Sequence, residues 1–142
     1  MKATIFHKTF EFNVPQDVAS KYQKACEILD KEEEMIQKSR PNFNVTSNEF
    51  FPLIALSAIV KQIPSNEDNG DEVQTITIKL PSFNNISEML NFKFKTSPSC
   101  EQLMRIAAAK ISSNCEIFKA RFNEEDTDLY RMAVVNVLIE QL

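Results

Sequence analysis

Four side chains in this 142-residue sequence have the chemistry of a nucleophile or a general base: the single histidine, His7, and three cysteines, Cys26, Cys100 and Cys115. Nucleophilic catalysis needs a thiol or hydroxyl within hydrogen-bond reach of a base that a third group orients. His7 falls between two predicted strands, at a hairpin turn, where an exposed, solvated imidazole is expected. Cys26 and Cys115 lie on or beside apolar helical stripes and read as small core residues. Cys100 falls in the first turn of a predicted helix, where the dipole favours a thiolate, yet no basic partner stands near it in sequence. Three thiols without C-x-x-C spacing match neither a zinc site nor a disulfide framework, and they read as the reduced thiols of a cytoplasmic protein. The acidic run Glu124-Glu125-Asp126-Thr127-Asp128 lacks the glycine and terminal glutamate of an EF-hand, and a helix start explains it. With one glycine in the chain, a phosphate-cradling loop is excluded. No catalytic, metal or cofactor site is expected. An enzyme working through Cys100 or His7 comes last of three functional readings.

Bulk properties narrow the class further. A net charge of −4 argues against non-specific nucleic-acid binding, which needs a basic footprint. No apolar run approaches membrane-spanning length, and Met1-Lys2-Ala3-Thr4 does not open a signal peptide. Eleven phenylalanines against no tryptophan predict a core built largely from Phe. The scarcity of glycine leaves few positions that adopt positive φ cheaply, so helices should dominate and tight primed turns should be rare.

Around these residues the chain organises into short elements. Lys2 to Phe6 and Thr9 to Val14 read as strands, the second with Phe10, Phe12 and Val14 alternating with polar residues. His7-Lys8 lacks glycine, so a longer or bulged connection is expected. Pro15 suits a first helical position, and Val18, Tyr22, Ala25, Leu29 and Ile36 form an apolar stripe ended by Pro41, with Lys31 to Glu34 on the solvated side. A buried helix then covers Leu53 to Ile63; Pro52 favours a start near Asn48 or Phe51. Residues 64–72 are polar and acidic and form the linker. Strands follow at Gln74 to Leu80 and Leu90 to Phe94, separated by a long loop. Ser97 should cap a helix with Pro98 at its first position, running to about Phe122. Asn123 or Asp126 should cap the last helix, which reaches Leu142.

The second half repeats the plan of the first. Placing Phe10-Glu11-Phe12 on Phe92-Lys93-Phe94, a shift of 82 positions, also places Tyr22 on Met104, Ala25 on Ala107, Cys26 on Ala108, Leu29 on Ile111 and Ile36 on Phe118. Four extra residues in the first helix–helix loop bring Leu53-Ile54-Ala55-Leu56 onto Arg131-Met132-Ala133-Val134. The expected fold is α+β: a first unit over 1–63, a linker over 64–72 and a second unit over 73–142. Each unit is a β-hairpin followed by two helices, and a unit of that size has a marginal core alone. Packed through their apolar faces, the two would form a pseudo-twofold domain like a homodimer fused into one chain. A monomer or a homodimer is the expected state.

The second unit carries Lys93, Lys95, Arg105, Lys110, Lys119, Arg121 and Arg131. Of these Lys93, Lys95, Arg105, Lys110, Arg121 and Arg131 are the candidate contacts for an acidic protein partner, against the simpler reading of a solubilising surface. The segments Leu103-Met104-Arg105-Ile106-Ala107-Ala108-Ala109-Lys110-Ile111, Phe118-Lys119-Ala120-Arg121-Phe122 and Asp128-Leu129-Tyr130-Arg131-Met132-Ala133-Val134 resemble the ZapA family of small bacterial cell-division proteins. That family has a hairpin, an R-x-A-A-x-x-I helix, a loop with Asp and a helix opening L-L-x-M-A-A-L. Tyr22-Gln23-Lys24-Ala25-Cys26-Glu27-Ile28-Leu29 and Leu53-Ile54-Ala55-Leu56-Ser57-Ala58 look like a degraded second copy. The resemblance implies a non-enzymatic protein that binds polymers of the tubulin-like division protein FtsZ. The alternative is a small intracellular adaptor or assembly module with an unrelated partner.

Overall fold

The computed structural model describes residues 1–39, 47–63 and 73–142. Its elements are β1 (Lys2–Ile5), β2 (Lys8–Glu11), α1 (Gln16–Ser39), α2 (Ser47–Gln62), β3 (Gln74–Pro81), β4 (Met89–Thr96), α3 (Pro98–Arg121) and α4 (Asp126–Gln141). The fold is α+β, with two separate antiparallel two-stranded sheets and four helices among the described residues. The expected linker at 64–72 lies outside them.

Helices α2 and α4 are apolar around most of their circumference, which suits burial on several sides. They pack on each other at the centre. Helix α1 lies against both α2 and α4, and α3 does the same from its own side. The β1–β2 hairpin rests on α1 and the β3–β4 hairpin on α3. One continuous core therefore draws Ala25, Leu29, Ile54 and Ile59 together with Ile78, Ile111, Val134 and Leu138. Burying each of the leucine, isoleucine and valine side chains among these contributes about 1.5–3 kcal/mol, before conformational entropy opposes it.

Local chemistry accounts for most element boundaries. Ser97 Oγ accepts the Cys100 N–H at 3.3 Å and Pro98 opens α3, as its sequence predicts. Helix α4 departs from expectation: Glu125 occupies the cap position without a side-chain bond, because Asp126 instead accepts the Ile86 N–H and pairs with Lys119. Helix α2 begins at Ser47, so Pro52 falls inside it. The proline removes only one N–H, close to the helix start, and its ring is buried. The α1–α2 connection proves three residues longer than the α3–α4 connection, not four.

Two further corrections concern the first hairpin and α1. Strand β2 stops at Glu11, so Val14 is outside it, and the hairpin closes on two residues with Phe6 at φ 45° and His7 at φ 70°. Such a turn normally needs glycine or asparagine. Here the turn is held from outside: Arg131 donates to the Ile5 and Phe6 carbonyls at 2.9 and 3.0 Å, and the Phe6 ring packs on Phe50, Phe51 and Phe83. In α1, Glu32 and Glu33 are buried rather than solvated. Glu32 accepts bonds from Ser57 Oγ at 2.6 Å and Lys61 Nζ at 2.8 Å, and Glu33 sits 2.8 Å from His7 Nε2. Partners brought by α2 and the turn replace the water these carboxylates give up.

Candidate protein-docking site

The outer face of the β3–β4 sheet follows from strand alternation and register. Ile76, Ile78 and Leu80 point inward, so Thr75, Thr77 and Lys79 point out. Across the ladder Thr75 faces Lys95, Thr77 faces Lys93 and Lys79 faces Asn91. These six exposed side chains include three lysines and no carboxylate. None of Lys79, Lys93 and Lys95 has an acidic partner among the described residues, so their charge is not neutralised locally. The corresponding face of β1–β2 is Lys2 opposite Glu11 and Thr4 opposite Thr9, and carries no net charge.

The edge of the sheet adds a second feature. A groove of about 380 Å³ lies between β3 and α3, lined by Thr77, Ile78 and Lys79 on one side and by Arg105, Ala108, Ala109 and Ser112 on the other. The helix residues fall at i, i+3, i+4 and i+7, one face of α3, and three of them are small. Arg105 stands at the rim, its guanidinium held by Glu101 at 2.8 Å, which also accepts from Gln74 at 2.7 Å.

The six basic residues singled out by sequence separate in space. Lys93 and Lys95 share the sheet face, joined by Lys79, and Arg105 borders the groove beside them. Lys110 and Arg121 lie about 140° and 160° around α3 from Arg105 and join neither feature. Arg131 differs from all of them: its side chain is 12% exposed and its donors serve the first hairpin and Asp128. Lys79 was missed in the sequence reading because its face depends on pairing with a strand that lies across a seven-residue loop. The alternation Ile76, Ile78, Leu80 was the available signal.

The residues with catalytic chemistry are not assembled into a nucleophile–base pair. His7 is largely exposed and its ring is paired with Glu33, with no hydroxyl or thiol among its described contacts. Burial, then nearby Asp30 and Glu27, pushes the Cys26 thiol up to about 11; burial, then Asp126 and Glu116, pushes Cys115 up to about 12. Cys100 is half-buried and lines an apolar pocket of about 220 Å³ with Leu53, Leu56, Val60, Phe94 and Met104. A thiol-reactive disulfide reagent at neutral pH should therefore label Cys100 first, with Cys26 and Cys115 reacting only as the protein unfolds. Fast labelling of Cys26 or Cys115 in the native protein would contradict this ordering.

No group of His, Cys, Asp and Glu among the described residues is arranged to hold a metal ion. No helix among them is long and apolar enough to cross a membrane. The chain matches no family model, no curated protein and no solved structure.

Proposed function

We propose that this chain is a non-enzymatic interaction protein, similar in plan to ZapA, that binds FtsZ polymers through the lysine face of its β3–β4 sheet. The observation that carries the reading is the unneutralised trio Lys79, Lys93 and Lys95 on one exposed sheet face of a chain with net charge −4. A concentrated basic face on an acidic molecule directs encounter with an acidic surface and disfavours other orientations.

The tandem, fused-dimer architecture belongs to the same proposal, and several observations support it. Helices α1 and α3 each span 24 residues and α2 and α4 each span 16. Residues 53–63 and 132–142 run through the same order of buried, half-buried and exposed positions. That match moves the second-helix register by one: Leu53 falls on Met132, and Phe51 on Tyr130. Under the same registers Glu32 corresponds to Asn114 and Ser57 to Asn136. Both pairs bridge their two helices, Ser57 to Glu32 at 2.6 Å and Asn136 to Asn114 at 2.7 Å. The packing of α1 on α4 likewise has its counterpart in α2 on α3.

Co-sedimentation tests the functional reading. The protein should pellet with FtsZ polymers at low salt, release as salt rises, and lose roughly tenfold in affinity in a Lys93→Glu/Lys95→Glu variant. A protein that stays in the supernatant at low salt removes FtsZ as the partner and leaves an adaptor with a different acidic target.

A further inference from the structure

The β3 edge has a specific hydrogen-bonding state. The Ser82 N–H donates to the Glu88 carbonyl at 2.8 Å, which fixes the alternation of the ladder below it. Leu80–Leu90, Ile78–Phe92 and Ile76–Phe94 are then the bonded pairs, whereas Thr77 and Lys79 sit opposite Lys93 and Asn91 in non-bonded ones. The N–H and C=O groups of Thr77 and Lys79 consequently point away from β4, toward the groove. The sheet has only two strands, and these groups have no backbone partner among the described residues. Solvated backbone donors and acceptors along a strand edge are a template for another strand.

We infer that the groove between β3 and α3 binds an extended acidic peptide segment, which adds to β3 as a third strand. This deepens the proposed function and rests on its basic face. Alternation gives the occupant its chemistry. Side chains on the outer side of the added strand lie beside Thr77 and Lys79, with Lys93 one strand further across the same face, and are acidic. Those on the inner side lie over Ala108 and Ala109, where the small wall leaves space for small apolar groups. A second copy of this chain fits less well, because pairing two β3 edges brings Lys79 and Arg105 toward their own duplicates.

The probe is a labelled, end-capped peptide of alternating Glu and Val, followed by fluorescence anisotropy at low salt. The peptide should bind. A peptide of alternating Lys and Val should not, nor should a Glu-Val peptide N-methylated at every backbone nitrogen, which has no N–H to give to the β3 edge in either strand direction. Ala109→Leu, at an exposed helix position, should fill the groove and weaken binding at least about tenfold, with the circular dichroism spectrum unchanged.

Three results would overturn the inference. If Ala109→Leu and the N-methylated peptide both bind normally while Lys93→Glu/Lys95→Glu removes binding, the occupant lies across the open sheet face; the basic-face reading survives and strand addition does not. If no acidic peptide binds although the protein pellets with FtsZ polymers, the groove is not the contact. If light scattering shows a dimer that Ala109→Leu dissociates, a second copy occupies the edge.

Discussion

Replacing Phe51 by alanine is expected to destabilise the protein by about 3–5 kcal/mol, moving one cooperative unfolding transition as a whole. Phe51 is fully buried, and its ring lies 4.7 Å from Phe6, 4.9 Å from Phe83 and 5.6 Å from Tyr130, centroid to centroid. Those three rings come from the first hairpin, the loop of the second hairpin and the last helix. Truncation removes the ring's transfer free energy and opens a void at the point where both halves meet. Aromatic edge contacts add roughly 0.5–1.5 kcal/mol beyond area. Urea denaturation followed by fluorescence and by circular dichroism gives the measurement. Two separable transitions, with only the first half weakened, would show that the halves do not share a core. A midpoint within experimental error of the wild type would remove Phe51 from its central position.

The second large effect belongs to Arg131. Arg131→Met should cost about 3 kcal/mol, from the loss of two charge-assisted hydrogen bonds at about 1.5–3 kcal/mol each, partly offset by the packing of the methionine. The guanidinium carbon also lies 4.8 Å from the Phe83 ring centroid and 5.8 Å from that of Phe6. Asp128 is not orphaned by the change, because Lys8 still reaches it at 2.7 Å. The stability change should therefore be concentrated at the turn, where Phe6 has lost the donor that holds its carbonyl and its positive φ. Hydrogen exchange should accelerate at β1 and β2 more than at β3 and β4. Arg131→Lys should recover little, since one ammonium cannot reproduce the planar fork across two consecutive carbonyls. A stability change under 1 kcal/mol, or exchange faster everywhere alike, would dismiss Arg131 as the clamp.

These two residues also mark where a sequence reading stops. The second hairpin and α3 were legible because their determinants are local: Ile76, Ile78 and Leu80 alternate, Ser97 caps and Pro98 starts the helix. The turn at Phe6-His7 was not, because the group that stabilises it sits on α4, 125 positions from Phe6. Glu32 and Glu33 looked solvated for the same reason; Ser57, Lys61 and His7 reach them only in the folded chain. The site was half legible. Lys93 and Lys95 were visible as alternate positions of one strand. Lys79 joined them only through the cross-strand register, and the groove only through the approach of α3 to the β3 edge.

The inequality of the two outer sheet faces sets a valence. Where the second hairpin presents Lys93, the first presents Glu11, whose charge Lys2 opposes across the strands. A homodimer with this plan would offer its lysine face twice and could tie two filaments together. Under the proposed function, a monomer of this chain offers it once, so it would decorate a filament at one molecule per contact, saturate, and leave neighbouring filaments unbridged.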